Sequence, residues 1–122
     1  DYKVPLPKSY YDAFQNILQD KNQELIILEN DNKDIIGTLQ LTFIPYLTYQ
    51  GGLRVQIEAV RIHKNFRGVG FGKKIFKWAI NRSRDKGAHL VQLTTDKQRP
   101  DAIEFYKVLG FIDSHIGMKL HL

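Results

Sequence analysis

Hydrophobic residues recur with two different periods along this chain, and the switches between them outline its elements. Tyr10, Phe14, Ile17 and Leu18 fall at helical spacing behind Ser9, a residue suited to cap a helix, and Pro5 and Pro7 mark an extended lead-in. The run Glu24–Glu29 predicts a short buried strand, Asn30 to Lys33 a turn, and Ile35–Ile44 a second strand, which makes the pair a hairpin. Pro45 and Gly51-Gly52 bound a loop carrying Tyr46, Leu47 and Tyr49, and Leu53–Ile62 predicts a third strand. Gly68, Gly70 and Gly72 then open a long helix to Lys86. Its face of Phe71, Ile75, Trp78 and Ala79 is apolar, Lys73, Lys77 and Arg84 lie opposite, and Gly87 is its stop. Leu90–Thr94 predicts a buried strand, Pro100 begins a helix that ends at Gly110, and Phe111–Leu122 predicts one or two strands.

This order describes an α/β chain with a mixed sheet and helices on its faces. The unit from Leu53 to Thr94 is a right-handed crossover between neighbouring strands. A length of 122 residues leaves room for one domain, spanning 1–122. With no cysteine there is no disulfide framework, thiolate nucleophile or Cys-bound metal to weigh, which fits a reducing compartment and predicts a cytoplasmic location. No apolar run approaches the roughly 20 residues that span a bilayer, so no membrane partner is expected. The chain opens Asp1-Tyr2-Lys3-Val4 without an initiator Met or a signal-peptide pattern, so a further segment is expected upstream.

Charge changes the picture. The net +5 is unevenly placed, because nine Lys and Arg lie between Arg61 and Lys86 against one acid, Asp85. A local field of one sign concentrates anionic ligands, although the same pattern also describes a solvated helix face. The segment Arg67-Gly68-Val69-Gly70-Phe71-Gly72 sits between a strand and a helix inside that basic region. The first N–H groups of a helix have no internal partner and carry partial positive charge, so they bind phosphates, and glycines let a pyrophosphate come close. Arg67 adds a charge-assisted hydrogen bond. A dinucleotide-binding turn fits worse, since its third glycine comes one residue later. A Walker loop fits worse too, since Gly72-Lys73-Lys74 lacks the hydroxyl that holds magnesium. A glycine turn chosen only for close packing is the remaining alternative.

Arg-x-x-Gly-x-Gly after a strand and before a helix resembles the acetyl-CoA pyrophosphate motif of the GNAT (Gcn5-related N-acetyltransferase) superfamily. The segment Ala102 to Phe111, a helix ending in Gly110-Phe111, is similar to the second motif of that family, and the helix and strand between the two match its spacing. The resemblance is specific across Glu58–Phe111 and looser back to Ile35–Ile44. It implies a GNAT-like acyl-CoA N-acyltransferase fold, with a mixed, mostly antiparallel sheet flanked by helices. It also implies that acetyl-CoA donates an acetyl group to a small-molecule or peptide amine. The backbone of Val60 and Ile62 then pairs with the pantetheine arm, and the amides from Gly68 to Gly72 beside Arg67 hold the pyrophosphate. The implied cofactor-binding set is Val60, Arg61, Ile62, Arg67, Gly68, Val69, Gly70, Phe71, Gly72 and Lys73, although the side chain of Arg61 points to the other face. The chain departs from the family at Arg99, where Asn is usual, and upstream, where the first strand and most of the first helix are absent.

Acyl transfer to an amine requires a neutral amine, a polarised thioester carbonyl and a proton for the leaving thiolate. A tyrosine hydroxyl ordinarily ionises near pH 10, so it can supply that proton to a thiolate whose acid ionises about 1.5 units lower. Tyr106 lies on the inward helical face shared with Ala102 and Leu109, and the family places its general acid there; the alternative is a core tyrosine with a satisfied hydroxyl. Glu58 precedes Val60 and Ile62 by two and four residues. Simple strand alternation places it on their face as a candidate base, with a structural or substrate-binding role as the alternative. Phe43, Tyr46, Leu47 and Tyr49 are candidates for an acceptor-pocket wall, or for a hairpin tip or homodimer contact. The four histidines lack metal-ligand spacing, and no metal is expected; His63 lies close enough to the glycine turn to touch a phosphate. The rival to an enzyme is a non-catalytic acyl-CoA sensor or interaction module. Nucleic-acid binding is disfavoured because no aromatic stacking platform accompanies the lysines.

Overall fold

The computed structural model describes residues 5–122. Residues 1–4, on which the reading of a segment upstream rests, lie outside them. Helix α1 spans Lys8–Gln19, strands β1 and β2 span Gln23–Glu29 and Ile35–Pro45, and α2 is a single turn at Thr48–Gly51. Strand β3 runs Leu53–Ile62, a 3-10 turn covers Lys64–Phe66, and α3 runs Phe71–Asp85. Strand β4 (Leu90–Gln92) and α4 (Pro100–Val108) complete the order. The sheet order is β1-β2-β3-β4; the first three strands are antiparallel and β4 is parallel to β3. This is the mixed, mostly antiparallel arrangement expected, with the crossover helix α3 joining β3 to its neighbour.

Alternation decides which sheet face is the core. Leu39, Leu41 and Phe43 of β2 and Val55 and Ile57 of β3 point to one face, where Ile75, Phe76 and Ala79 of α3 cover them. These are alternate positions on strands and one stripe on a helix, as burial on a single side requires. Phe76 is fully buried at the centre of this cluster, and burial of such a side chain stabilises by roughly 1.5–3 kcal/mol. The opposite face is polar: Gln23 bonds Gln40 across β1–β2, and Gln92 donates to Gln56 across β3–β4 at 2.8 Å.

Two expectations are corrected, and the apolar positions of α1 are placed. Ser9 does not cap α1, because the helix begins at Lys8 behind Pro7 and no side chain caps it. The apolar positions of α1 are not core, since the helix packs on the outer strand β1 and Tyr10, Phe14 and Leu18 stay about half exposed. Phe111–Leu122 forms no strand: the segment carries strand-like alternation but joins no ladder of the sheet among the described residues.

Candidate functional site

The site begins where β3 and β4 part. They pair only at Arg54–Leu90, Val55–Val91 and Gln56–Gln92, so β3 continues from Ile57 to Ile62 with no strand on its β4 side among the described residues. The β2–β3 register changes in the same stretch: Gln40 faces Glu58, but Thr38 faces Arg61, so β3 holds one residue more than β2. Ala59 takes up this bulge at φ 54. An L-residue in that region costs on the order of 1–2 kcal/mol, which the ladders on either side must offset.

The bulge overturns simple alternation. Before it Val55 and Ile57 face the core; after it Val60 and Ile62 do. Glu58 is therefore on the polar face, exposed and opposite Gln40, and not on the face of Val60 and Ile62. No feature of the sequence marks this, because alanine carries no signal for a left-handed backbone.

The strand leads into the 3-10 turn, where His63 Nδ1 accepts from the Asn65 amide at 3.1 Å. Arg67 Nε then donates to the Ile62 carbonyl at 2.9 Å, which ties the glycine turn to the strand end and occupies one acceptor expected to be free for a ligand. Gly70 is the N-cap of α3 at φ 96, a conformation that favours glycine. The first α3 amide with a backbone acceptor is that of Lys74, which donates to Gly70 at 3.1 Å. The amides from Gly68 to Lys73 donate to no protein acceptor among the described residues. Six N–H groups and the outer nitrogens of Arg67 thus converge at the positive end of a 15-residue helix. They border a cavity of about 250 Å3 lined by Ile62, Phe66, Arg67, Gly68, Lys73 and Phe105, among others. Phe66 and Phe105 were not singled out from the sequence; aromatic side chains beside a glycine turn were the available signal. Lys73, Lys74 and Lys77 are exposed nearby, whereas Arg82 is bound to Glu24 and does not belong to the anion-facing set. Val69 and Arg61 are exposed at the margin.

Tyr106 is placed by the end of its own helix. Gly110, at φ 104, lets the chain reverse so that its amide donates to Lys107 and the Phe111 amide donates to Tyr106, at 3.0 Å each. The Phe111 ring then meets the Tyr106 ring at 6.0 Å, and Phe76 meets it at 5.5 Å from the core. The hydroxyl makes no hydrogen bond to protein among the described residues.

The suggested acceptor-wall residues lie away from the glycine turn. Phe43 is core, 3% exposed. Tyr46 and Tyr49 stand at the far end of β3, which at about 3.3 Å per residue is on the order of 30 Å from the glycine turn. There they enclose His89, whose Nε2 is hydrogen-bonded to the Tyr46 hydroxyl, and Arg54 lies over the Tyr46 ring at 4.4 Å. A second hollow of about 450 Å3, lined by Leu18, Glu24, Trp78 and Arg82 among others, holds none of the expected site residues. No cluster of three or more His, Cys, Asp or Glu suited to a metal ion occurs among the described residues, and no helix there is long and apolar enough to cross a membrane.

A parted strand pair with unpaired amides at a helix start makes up the candidate anion site of this α/β chain. The chain belongs to the acetyltransferase (GNAT) family, whose model matches residues 1–111. A solved structure described as a transcriptional regulator from Bacillus halodurans C-125 is 55% identical, covering 100% of this chain and 81% of that one with a TM-score of 0.94. An uncharacterized N-acetyltransferase of Pyropia yezoensis is 32% identical over 81% of this chain and 54% of its own length. An aminoalkylphosphonate N-acetyltransferase of Salmonella typhimurium is 27% identical over 88% of this chain and 69% of its own. The match thus spans about half to two thirds of these curated relatives' lengths.

Proposed function

We propose that this chain is a single GNAT-type N-acetyltransferase domain that moves an acetyl group from acetyl-CoA to the primary amine of an acceptor. The observation that carries the reading is the run of unpaired amides from Gly68 to Lys73 beside Arg67, at the end of a strand with an open edge. In this reading the amides and Arg67 hold the pyrophosphate, and the β3 edge around Val60 and Ile62 takes the pantetheine arm as an added strand. The amine nitrogen attacks the thioester carbonyl and forms the C–N bond. Its surplus proton passes to Glu58, directly or through water. As the C–S bond breaks, the thiolate takes the Tyr106 proton. Glu58 on the polar face and Tyr106 below the open edge would then approach the reacting carbon from different sides of β3. The aminoalkylphosphonate relative makes small amines bearing an anionic group the first acceptors to try.

The relative described as a transcriptional regulator favours a second reading, an acyl-CoA sensor without turnover. Thiol release from acetyl-CoA with a panel of primary amines separates the two. Tyr106→Phe should lower kcat by about 10²-fold, the low end for a general acid because water substitutes in part, while acetyl-CoA binding stays intact. Glu58→Gln should lose most activity at low pH, where more amine is protonated. Absence of thiol release by a chain that still binds acetyl-CoA would leave the sensor reading standing.

A further inference from the structure

Arg54 is a cation without a counter-ion. It is half-buried, yet its side chain makes no hydrogen bond or ion pair among the described residues. Arg82, half-buried as well, is gripped by Glu24. What holds Arg54 is a ring: its guanidinium lies over Tyr46 at 4.4 Å, and the Tyr46 hydroxyl is in turn hydrogen-bonded to His89 Nε2. A guanidinium set against a ring keeps its fork of N–H groups for an anion. A half-buried charge without a counter-ion is costly to a fold, and an anion brought by a ligand would offset that cost.

The β2–β3 register shows what shares its face. Arg54, Gln56 and Glu58 lie opposite Ile44, Thr42 and Gln40, all before the bulge, so the three stand together on the polar face. Arg54 and Glu58 are four positions apart, about 13 Å at roughly 3.3 Å per residue. Gln56 lies midway. Its Oε1 accepts from Gln92 at 2.8 Å, which leaves Gln56 Nε2 and Gln92 Oε1 without a partner among the described residues. One strip of the sheet thus runs from a carboxylate, past a free donor and a free acceptor, to a cation. Tyr46 donates its amide to Gly52 at 3.1 Å, so its ring lies beyond Arg54 and the guanidinium leans away from Glu58. Arg61 also reaches this face after the bulge, but it is exposed and has no ring contact among the described residues. We propose that Arg54 selects the acceptor, by binding an anionic group about 10 Å from the amine that sits at Glu58, with hydrogen-bonding groups between them. This rests on the acetyl-transfer reading with Glu58 as base. Among anionic amines, those with charges that far apart engage both ends of the strip, and an α-amino acid engages one.

Calorimetric binding in the presence of CoA, run beside thiol release from acetyl-CoA, tests this. The probes are glycine, diglycine, triglycine and tetraglycine, each as the free acid and as the C-terminal amide. Three extended residues span about 10 Å. Triglycine acid should therefore bind on the order of 10–100-fold more tightly than its amide, the range for a charge-assisted hydrogen bond, and the ratio should be smaller for glycine. In turnover the same preference should appear in KM and not in kcat. Arg54→Gln should bring the triglycine ratio near one, and Arg54→Lys, which keeps the charge but loses the fork, should restore part of it. No binding of any probe, equal binding of acid and amide at every length, or a preference that survives Arg54→Gln overturns the proposal. An Arg54-dependent preference in binding without thiol release keeps the Arg54 site and overturns acetyl transfer. Thiol release at equal rates from acids and amides does the reverse.

Discussion

The two ends of β3 are both built from unfavourable backbone, yet they do opposite things with it. Near Ile62 the chain holds Ala59 at φ 54 and a glycine turn; near Leu53 it holds Tyr49 at φ 54 and Gln50 at φ 59. At the Leu53 end much of the backbone closes on itself. Gly51 donates to Leu47, Gly52 to Thr48, Tyr46 to Gly52 and His89 to Leu53, and the His89 ring is packed between two tyrosines. At the Ile62 end the strain leaves six amides and an open strand edge without partners. Strain by itself therefore does not mark a site in this molecule. What marks it is a run of unpaired amides at the start of a 15-residue helix, beside Arg67 and an open strand edge.

The comparison can be broken most directly at Gly70. A valine there cannot comfortably hold φ 96, so the amides would turn away and the acetyl-CoA-dependent rise in melting temperature should vanish. An unchanged rise would remove the glycine turn from the binding site. The matching change at the other end is Tyr46→Phe, which deletes the hydroxyl bonded to His89. It should cost about 0.5–1.5 kcal/mol in denaturant unfolding and leave the acetyl-CoA response as it was. If Tyr46→Phe abolishes that response, the two ends are coupled and the contrast fails.

A smaller effect tests whether Arg82 is structural, as its pairing with Glu24 implies. Its Nε and Nη2 grip both Glu24 oxygens at 3.0 and 2.6 Å. The hydrogen-bonded guanidinium holds the Glu24 carboxyl below its ordinary 4.5, against a lesser upward push from burial. A carboxyl depressed in the folded state contributes stability above its unfolded value, and that contribution is lost as pH falls through the lower folded value. The pair is partly exposed, so the contribution should be no more than about 1 kcal/mol. Unfolding free energies of wild type and Glu24→Gln should therefore differ at pH 7 and converge as the pH falls below 4.5. The smallest effect is in salt. Apparent acetyl-CoA affinity should fall a few-fold as ionic strength rises beyond about 0.15 M, where screening reaches about 8 Å, and Lys73→Gln with Lys77→Gln should flatten the trend. Indifference of the wild type to salt would make those lysines a solvated face.

Where the fold follows from local pattern, the sequence was enough. Gly37 to Ile44 alternates without a break and is strand; the stop at Gly87 and the Gly110-Phe111 ending are where the helices close. The glycine turn was legible for the same reason, since its chemistry is a property of a few adjacent residues. The face of Glu58 was not, because it depends on how β3 counts against β2, and one inserted residue at Ala59 inverts everything before it relative to everything after. The aromatic cluster was missed because Tyr46 and His89 are 43 positions apart, beyond any local period. The period of Phe111–Leu122 predicts strand, but a period states what a segment is shaped for and not which partner it meets.

The short seam between β3 and β4 has a consequence in time. Three paired positions hold β4 to the sheet, against eight or so on the other side of β3. Cooperative units with few buried hydrogen bonds open more often than the global transition allows, and on their own schedule. Amides of Leu90–Gln92 should exchange with solvent well before those of Leu39–Phe43, with α4 following β4 because they adjoin in the chain. The molecule would then breathe along one line, between a slow three-stranded slab and a faster flap that carries Tyr106.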